Sequence, residues 1–125
     1  FSQLEPTIFN SVQAELPPPN AELWAKQINA VNRIFRSPDG MAVNLYVVSR
    51  GISKFPDEIC FTRMDEFEVA VVNLKAIPSG GTLRARVWCV AGHVFEILYE
   101  TPFTVFEKTT QYELEVKCQI VNQPA

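Results

Sequence analysis

The chain has 125 residues, of which 47% are hydrophobic and 20% are charged, and its formal net charge is −3. This composition is typical of one ordinary globular domain over residues 1–125, and it lacks the basic surplus that nonspecific nucleic-acid binding requires. The sequence contains neither an apolar run of about 18 residues nor a basic amphipathic stretch, so no membrane attachment is expected.

The N-terminal third of the chain carries a helical pattern. Residues 1–19 read as a short helix followed by a proline-rich spacer, because the prolines at 17–19 are expected to end the helix. Asn20 then caps a predicted main helix over 20–36. The apolar stripe of this helix is predicted to pack in the core and consists of Trp24, Gln27, Ile28, Val31, Ile34 and Phe35.

From residue 41 onward the hydrophobic period changes to two, which is typical of β-strands. Strand-like runs cover 41–49, 67–77, 83–100 and 112–121, and the third of them reads as a hairpin. Helices followed by consecutive strands predict an α+β fold. We expect the N-terminal helix or helices to pack on one face of a largely antiparallel, curved sheet of four to six strands within residues 41–121.

The predicted hairpin has a two-residue turn at Ala91-Gly92 between its strands. In this register Trp88 pairs with Phe95, and alternation separates the side chains into two faces. The face predicted to meet the helix carries Leu83, Ala85, Val87, Cys89, Val94, Glu96 and Leu98. The opposite face is predicted to carry Arg84, Arg86, Trp88, Val90, His93, Phe95, Ile97 and Tyr99.

The cysteines and the single histidine give little sign of chemistry. Three cysteines cannot all pair within the chain, so reduced thiols in a cytoplasmic protein are the simplest interpretation. Cys89 and His93 point to opposite hairpin faces, which argues against a thiol–imidazole pair. The same separation, with no C-x2-C element, argues against a zinc site that also uses Cys60 and Cys118. We therefore predict no catalytic residue, no metal and no cofactor.

The aromatic and arginine face of the hairpin supplies the candidate binding residues, since Trp, Tyr and Arg often anchor protein interfaces. These candidates are Arg84, Arg86, Trp88, His93, Phe95 and Tyr99. The leading hypothesis is a non-catalytic protein-interaction module that binds a protein partner or a second copy of itself through this face.

Two other functions and one purely structural reading stay open. The second hypothesis is a small-ligand pocket between helix and sheet, with Arg84 or Arg86 neutralising a ligand charge. The third and least favoured is an enzyme that uses His93 as a base. Alternatively, the N-terminal segment or the loop with Phe55 and Phe61 covers the aromatic face, which then belongs to the core. The sequence begins at Phe1 rather than at a methionine, as an excised domain or a processed product would.

Overall fold

The computed structural model describes residues 4–77, 80–103 and 113–124. Two helices come first in the chain, α1 (Leu4–Glu15) and α2 (Pro18–Ala30). The strands are β1 (Arg33–Arg36), β2 (Ala42–Tyr46), β3 (Val48–Ser49), β4 (Ile52–Ser53), β5 (Phe67–Ile77), β6 (Thr82–Val90), β7 (His93–Tyr99) and β8 (Glu113–Ile120). A short 3₁₀ helix, Asp57–Ile59, lies between β4 and β5.

Six strands form one antiparallel sheet in the order β1-β2-β7-β6-β5-β8, and β3 pairs with β4 in a separate two-stranded sheet. Helix α1 packs against β8 and β5, and α2 contacts β7. The predicted α+β class, with N-terminal helices on a largely antiparallel sheet, is therefore confirmed. Within the described ranges, neither helix has the length and apolar character that crossing a membrane demands.

The two helices share one hydrophobic core with the sheet, and Trp24 joins them. Trp24 is fully buried, its indole Nε1 donates a hydrogen bond to the Phe9 carbonyl at 3.0 Å, and the two rings meet edge to face. The apolar side chains spaced at helical intervals in the first predicted helix are all buried, namely Leu4, Ile8, Phe9, Val12 and Leu16. Residues 1–3 of that prediction lie outside the described residues.

The main helix differs from the predicted 20–36 at both ends. It begins at Pro18, because a proline in the first helical turn removes only an N–H group that has no partner within the helix. It ends at Ala30, and the segment predicted as its last turn is strand β1, paired with β2. Ile34 still packs against the core, but Phe35 is 54% exposed, so its predicted core position is wrong.

The strand predictions hold in outline and differ in their bounds. The predicted strand 67–77 coincides with β5, whereas the predicted strand 41–49 is divided between β2 and β3. The last predicted strand, 112–121, corresponds to β8, and its first residue, Tyr112, lies outside the described residues.

Candidate functional site

The β6–β7 hairpin turns where the sequence predicts it. Ala91 and Gly92 have φ values of +52° and +87°, as a two-residue type I′ turn requires. The pairs next to the turn are also as predicted, Val90 with His93 and Cys89 with Val94. Cys89 is fully buried on the helix side and His93 is half-buried on the other, which confirms that the two side chains lie on opposite faces.

A β-bulge then shifts the register of β7. Trp88 pairs with Glu96, which leaves Phe95 as the extra residue on β7. Because side chains alternate with a period of two, the insertion moves every later residue of β7 to the opposite face from the one predicted. Tyr99 pairs with Ala85, is only 3% exposed and packs on Phe103 with ring centroids 5.3 Å apart.

Because of the bulge, four residues of β7 lie on the face opposite to the one predicted. Ile97 and Tyr99 are buried on the helix side rather than on the predicted binding face. Glu96 and Leu98 lie on the binding side rather than against the helix, as cross-strand partners of Trp88 and Arg86. Tyr99 is therefore a core residue in this fold.

We call the sheet face turned away from the helices the open face. A row of cross-strand neighbours runs across it and consists of Phe35, Asn44, Glu96, Trp88 and Glu68. Phe35 is 54% exposed and Tyr46 is 37% exposed, while Trp88 and Phe95 are half-buried. The half of the open face between β1 and β6 thus presents several large aromatic side chains to solvent.

Sequence reasoning missed Phe35 and Tyr46 as members of this face. Their placement depends on the β1–β2 hairpin, and the sequence pattern predicts a strand at β2 but assigns β1 to the end of the main helix. The detectable signal was the segment SPDG (37–40), a glycine-containing turn flanked by the strand-like runs RIFR and MAVNLY. Its turn geometry is fixed by Ser37 Oγ, which accepts a hydrogen bond from the Ala42 N–H at 2.9 Å.

Trp88 lies near the middle of the open face. Its indole Nε1–H is shielded from solvent and has no hydrogen-bond partner among the described residues. Its cross-strand neighbours on both sides, Glu68 and Glu96, are carboxylates. Among the described residues, the indole of Trp88 is thus held by packing rather than by a hydrogen bond.

His93 is fixed by stacking rather than by a catalytic partner. Its ring lies on the Phe55 ring with centroids 3.9 Å apart and an interplanar angle of 12°. Its Nδ1 is 3.0 Å from the Val94 carbonyl oxygen, and burial lowers the pKa of the imidazole. On the other face, burial raises the pKa of the Cys89 thiol to about 12. In the part of the chain that the structure describes, no group of three or more His, Cys, Asp and Glu side chains is placed to hold a metal.

The two predicted arginine anchors are engaged in ion pairs on the open face. Arg86 contacts Glu68 at 3.3 Å and Glu100 at 3.2 Å. Arg84 donates to Asn73 Oδ1 at 2.9 Å and lies 3.5 Å from Glu100. These pairs are partly exposed, so each contributes little stability and is open to exchange with a partner's charge. Both arginines therefore already have carboxylate partners within the chain.

Two concave sites that the described residues form lie on the open face. The larger, of about 700 Å³, occupies the charged end of the face. Its lining includes Asn73, Lys75, Arg84, Glu100, Glu115 and Lys117. Since cations and carboxylates alternate along this lining, the groove offers no concentrated charge of one sign. The smaller site, of about 230 Å³, lies at the aromatic end.

Of the segments expected to cover the aromatic face, most pack in the core or on the opposite side of the sheet. Phe61 joins the core beneath the hairpin turn, and helix α1 packs on the opposite side of the sheet. Phe55 does cover His93. Comparison with protein-family models, with curated proteins and with solved structures finds no match for this chain, so its function is argued from its own residues.

Proposed function

We propose that this chain is a non-catalytic protein-interaction module that binds a protein partner through the aromatic half of the open face. The observation that carries the proposal is the row of large side chains left accessible there. Phe35 is 54% exposed and Tyr46 is 37% exposed, beside the half-buried Trp88 and Phe95. Several accessible aromatic side chains on one sheet face are often a site of association.

The charges around this surface favour a protein partner over a lipid or a nucleic acid. Arg84 and Arg86 share the open face with Glu68 and Glu100 in one network of partly exposed ion pairs. A polar rim with both signs of charge around an apolar centre is the usual anatomy of a protein–protein interface. A surface for anionic phosphates would instead concentrate positive charge.

The fold separates this surface from the elements that stabilise it. The helices bury the opposite side of the sheet, where the fully buried strand residues include Val43, Val72, Ala85, Val87 and Val94. Changes on the open face are therefore expected to alter binding more than folding. The face is also built on strands, which hold binding residues more rigidly than loops.

The test is affinity capture of partners from the native host with the intact chain and two matched variants. Phe35→Glu places a charge in the proposed interface, and Met64→Glu makes the same kind of change at a 60%-exposed site near the hairpin turn. We expect the protein captured by the wild type to be retained by Met64→Glu and lost by Phe35→Glu. Sedimentation equilibrium of the same variants identifies self-association, in which case the partner is a second copy.

Two results would overturn the proposal. One is a set of captured proteins that Phe35→Glu leaves unchanged. The other is a wild-type chain that stays monomeric and enriches no protein over Phe35→Glu. Circular dichroism of each variant checks that the fold is retained, which we expect because both residues are more than half exposed.

A further inference from the structure

The smaller concave site on the open face lies between β2, β4 and the turn end of the β6–β7 hairpin. Its volume is about 230 Å³. Its walls include Asn44, Tyr46, Lys54, Phe55, His93 and Phe95. We call this site the hairpin pocket. It adjoins the exposed Phe35, because Asn44, one of its walls, is the cross-strand neighbour of that residue.

The size of the hairpin pocket limits what can occupy it. Sites for drug-sized ligands and cofactors usually have volumes of about 300–1,000 Å³. The hairpin pocket, at about 230 Å³, falls below that range. One large side chain projecting from a partner is a better match, and interfaces commonly bury such an anchor in a pocket near their centre.

Four of the nine residues that line the hairpin pocket carry aromatic rings, and two of these rings are held in place by stacking. Phe55 is 4% exposed and stacks on His93, so neither ring is free to turn. Phe95 is the extra residue of the β7 bulge, and bulges commonly redirect a side chain toward a functional site. Burial lowers the pKa of His93, which keeps its ring neutral near physiological pH. An apolar or aromatic side chain therefore suits these walls better than a charged one.

Two cations stand beside the hairpin pocket. Lys54 is one of its lining residues, and Arg33 is the cross-strand neighbour of Tyr46. Arg33 has no ion pair with any described residue. Lys54 lies 3.7 Å from Asp57, but both side chains are at least two-thirds exposed, so this contact is weak. The nearby carboxylate of Glu96 accepts a hydrogen bond from Asn44 Nδ2 at 3.0 Å and forms no ion pair with either cation among the described residues. Both cations are therefore available to an acidic residue of a partner.

We propose that the hairpin pocket is an anchor site that takes one large apolar side chain of a protein partner whose neighbouring residue is acidic. This inference rests on the proposed function and adds the chemistry of the partner. The apolar side chain enters between Phe95 and Tyr46. The acidic residue beside it pairs with Lys54 or Arg33.

The experiment selects binders from a phage-displayed library of random linear peptides on the immobilised intact chain. The enriched consensus peptide is then synthesised and its affinity measured by fluorescence anisotropy. We expect a consensus that contains one Phe, Leu, Met or Trp next to Asp or Glu. Replacing the apolar residue of the peptide with alanine should weaken binding at least about tenfold.

Matched variants of the chain locate the binding site. Val90→Phe fills the hairpin pocket, and Val71→Phe makes the same change at a half-buried valine of the open face on β5, outside the pocket. We expect the first to weaken the consensus peptide at least about tenfold and the second to change affinity less than about twofold. Lys54→Glu, at a 68%-exposed position, should weaken the peptide even if Val90→Phe fails to fold.

Several results would overturn the inference. In the selection, these are the enrichment of no sequence or a consensus without a large apolar residue. In the affinity measurements, it is a consensus peptide whose binding neither Val90→Phe nor Lys54→Glu alters. A dimer of the chain that Val90→Phe dissociates would also overturn it, because the occupant would then be a second copy. A partner that is lost with Phe35→Glu but retained by Val90→Phe would leave the proposed function standing and remove only the anchor site. A partner that both Phe35→Glu and Val90→Phe retain would instead count against the proposed function itself.

Discussion

Replacing Gln27 with leucine should lower the free energy of unfolding by about 3–5 kcal/mol. Gln27 is fully buried in α2, and its side chain joins three parts of the fold. Its Nε2 donates to the carbonyls of Ile59 at 2.8 Å and Gly92 at 3.1 Å, and its Oε1 accepts from the Val94 N–H at 3.1 Å. Leucine has a similar size but no polar atom.

The magnitude follows from those three hydrogen bonds. Each contributes about 0.5–1.5 kcal/mol net, and a buried backbone group left without its partner costs about 1–3 kcal/mol. The loss is a large part of the 5–15 kcal/mol that stabilises an ordinary domain. The same bonds hold the turn end of the hairpin against α2, so they also position the hairpin pocket.

Urea unfolding followed by tryptophan fluorescence measures this loss, and a constant m value shows that the change lies in stability. Gln119→Leu is the matched control, since Gln119 is exposed on β8 and its replacement should alter the free energy by less than about 0.5 kcal/mol. A loss below about 1 kcal/mol for Gln27→Leu would refute the view that this side chain joins α2 to the hairpin turn.

Three further predictions concern the hairpin. Gly92→Ala should cost more than about 2 kcal/mol in urea unfolding, because φ is +87° and a Cβ would lie 2.8 Å from the Phe61 carbonyl oxygen. Gly51→Ala, where φ is +79° and nothing lies within 4 Å of an added Cβ, should cost less, and equal losses would contradict the clash. Cys89, whose pKa is raised to about 12 by burial, should react with iodoacetamide only on unfolding, so labelling of the folded chain detected by mass spectrometry would contradict its burial. Burial lowers the pKa of His93, so the unfolded chain binds its proton more readily, and this residue's contribution to stability should be complete above its ordinary value near 6.5 and decline as pH falls below it. The free energy of unfolding of the wild type, relative to that of His93→Gln, should therefore decrease from pH 7 to pH 5. An increase would contradict the lowered pKa of His93.

The hairpin shows what period and turn chemistry can predict. Ala91-Gly92 lies between two alternating runs, and the turn and the two pairs beside it are as predicted. The bulge at Phe95 has no such signal, because no glycine or proline marks it and the apolar residues that follow, Ile97 and Leu98, fit either face of the sheet. Because the prediction omits this one insertion, it assigns Tyr99 to the wrong face of the sheet.

The end of α2 shows how a helical pattern can continue by coincidence into a strand. Ile34 and Phe35 fit the spacing of the helical stripe that begins at Trp24, yet they belong to β1. Pairing of β1 with β2 decides the outcome, and this non-local contact outweighs local propensity. The candidate site depends on the same pairing, because it brings Phe35 to the open face.

The measurement that tests the central claim most directly is the urea unfolding of Trp88→Ala, since a residue kept for binding should contribute less to stability than a core tryptophan. Trp88 is half-buried and its indole N–H has no hydrogen-bond partner among the described residues. We predict a loss of about 1–2.5 kcal/mol with an unchanged m value, below the roughly 3–5 kcal/mol of a fully buried tryptophan. A loss above about 3 kcal/mol would show that Trp88 is a core residue and would contradict the open face as a binding surface.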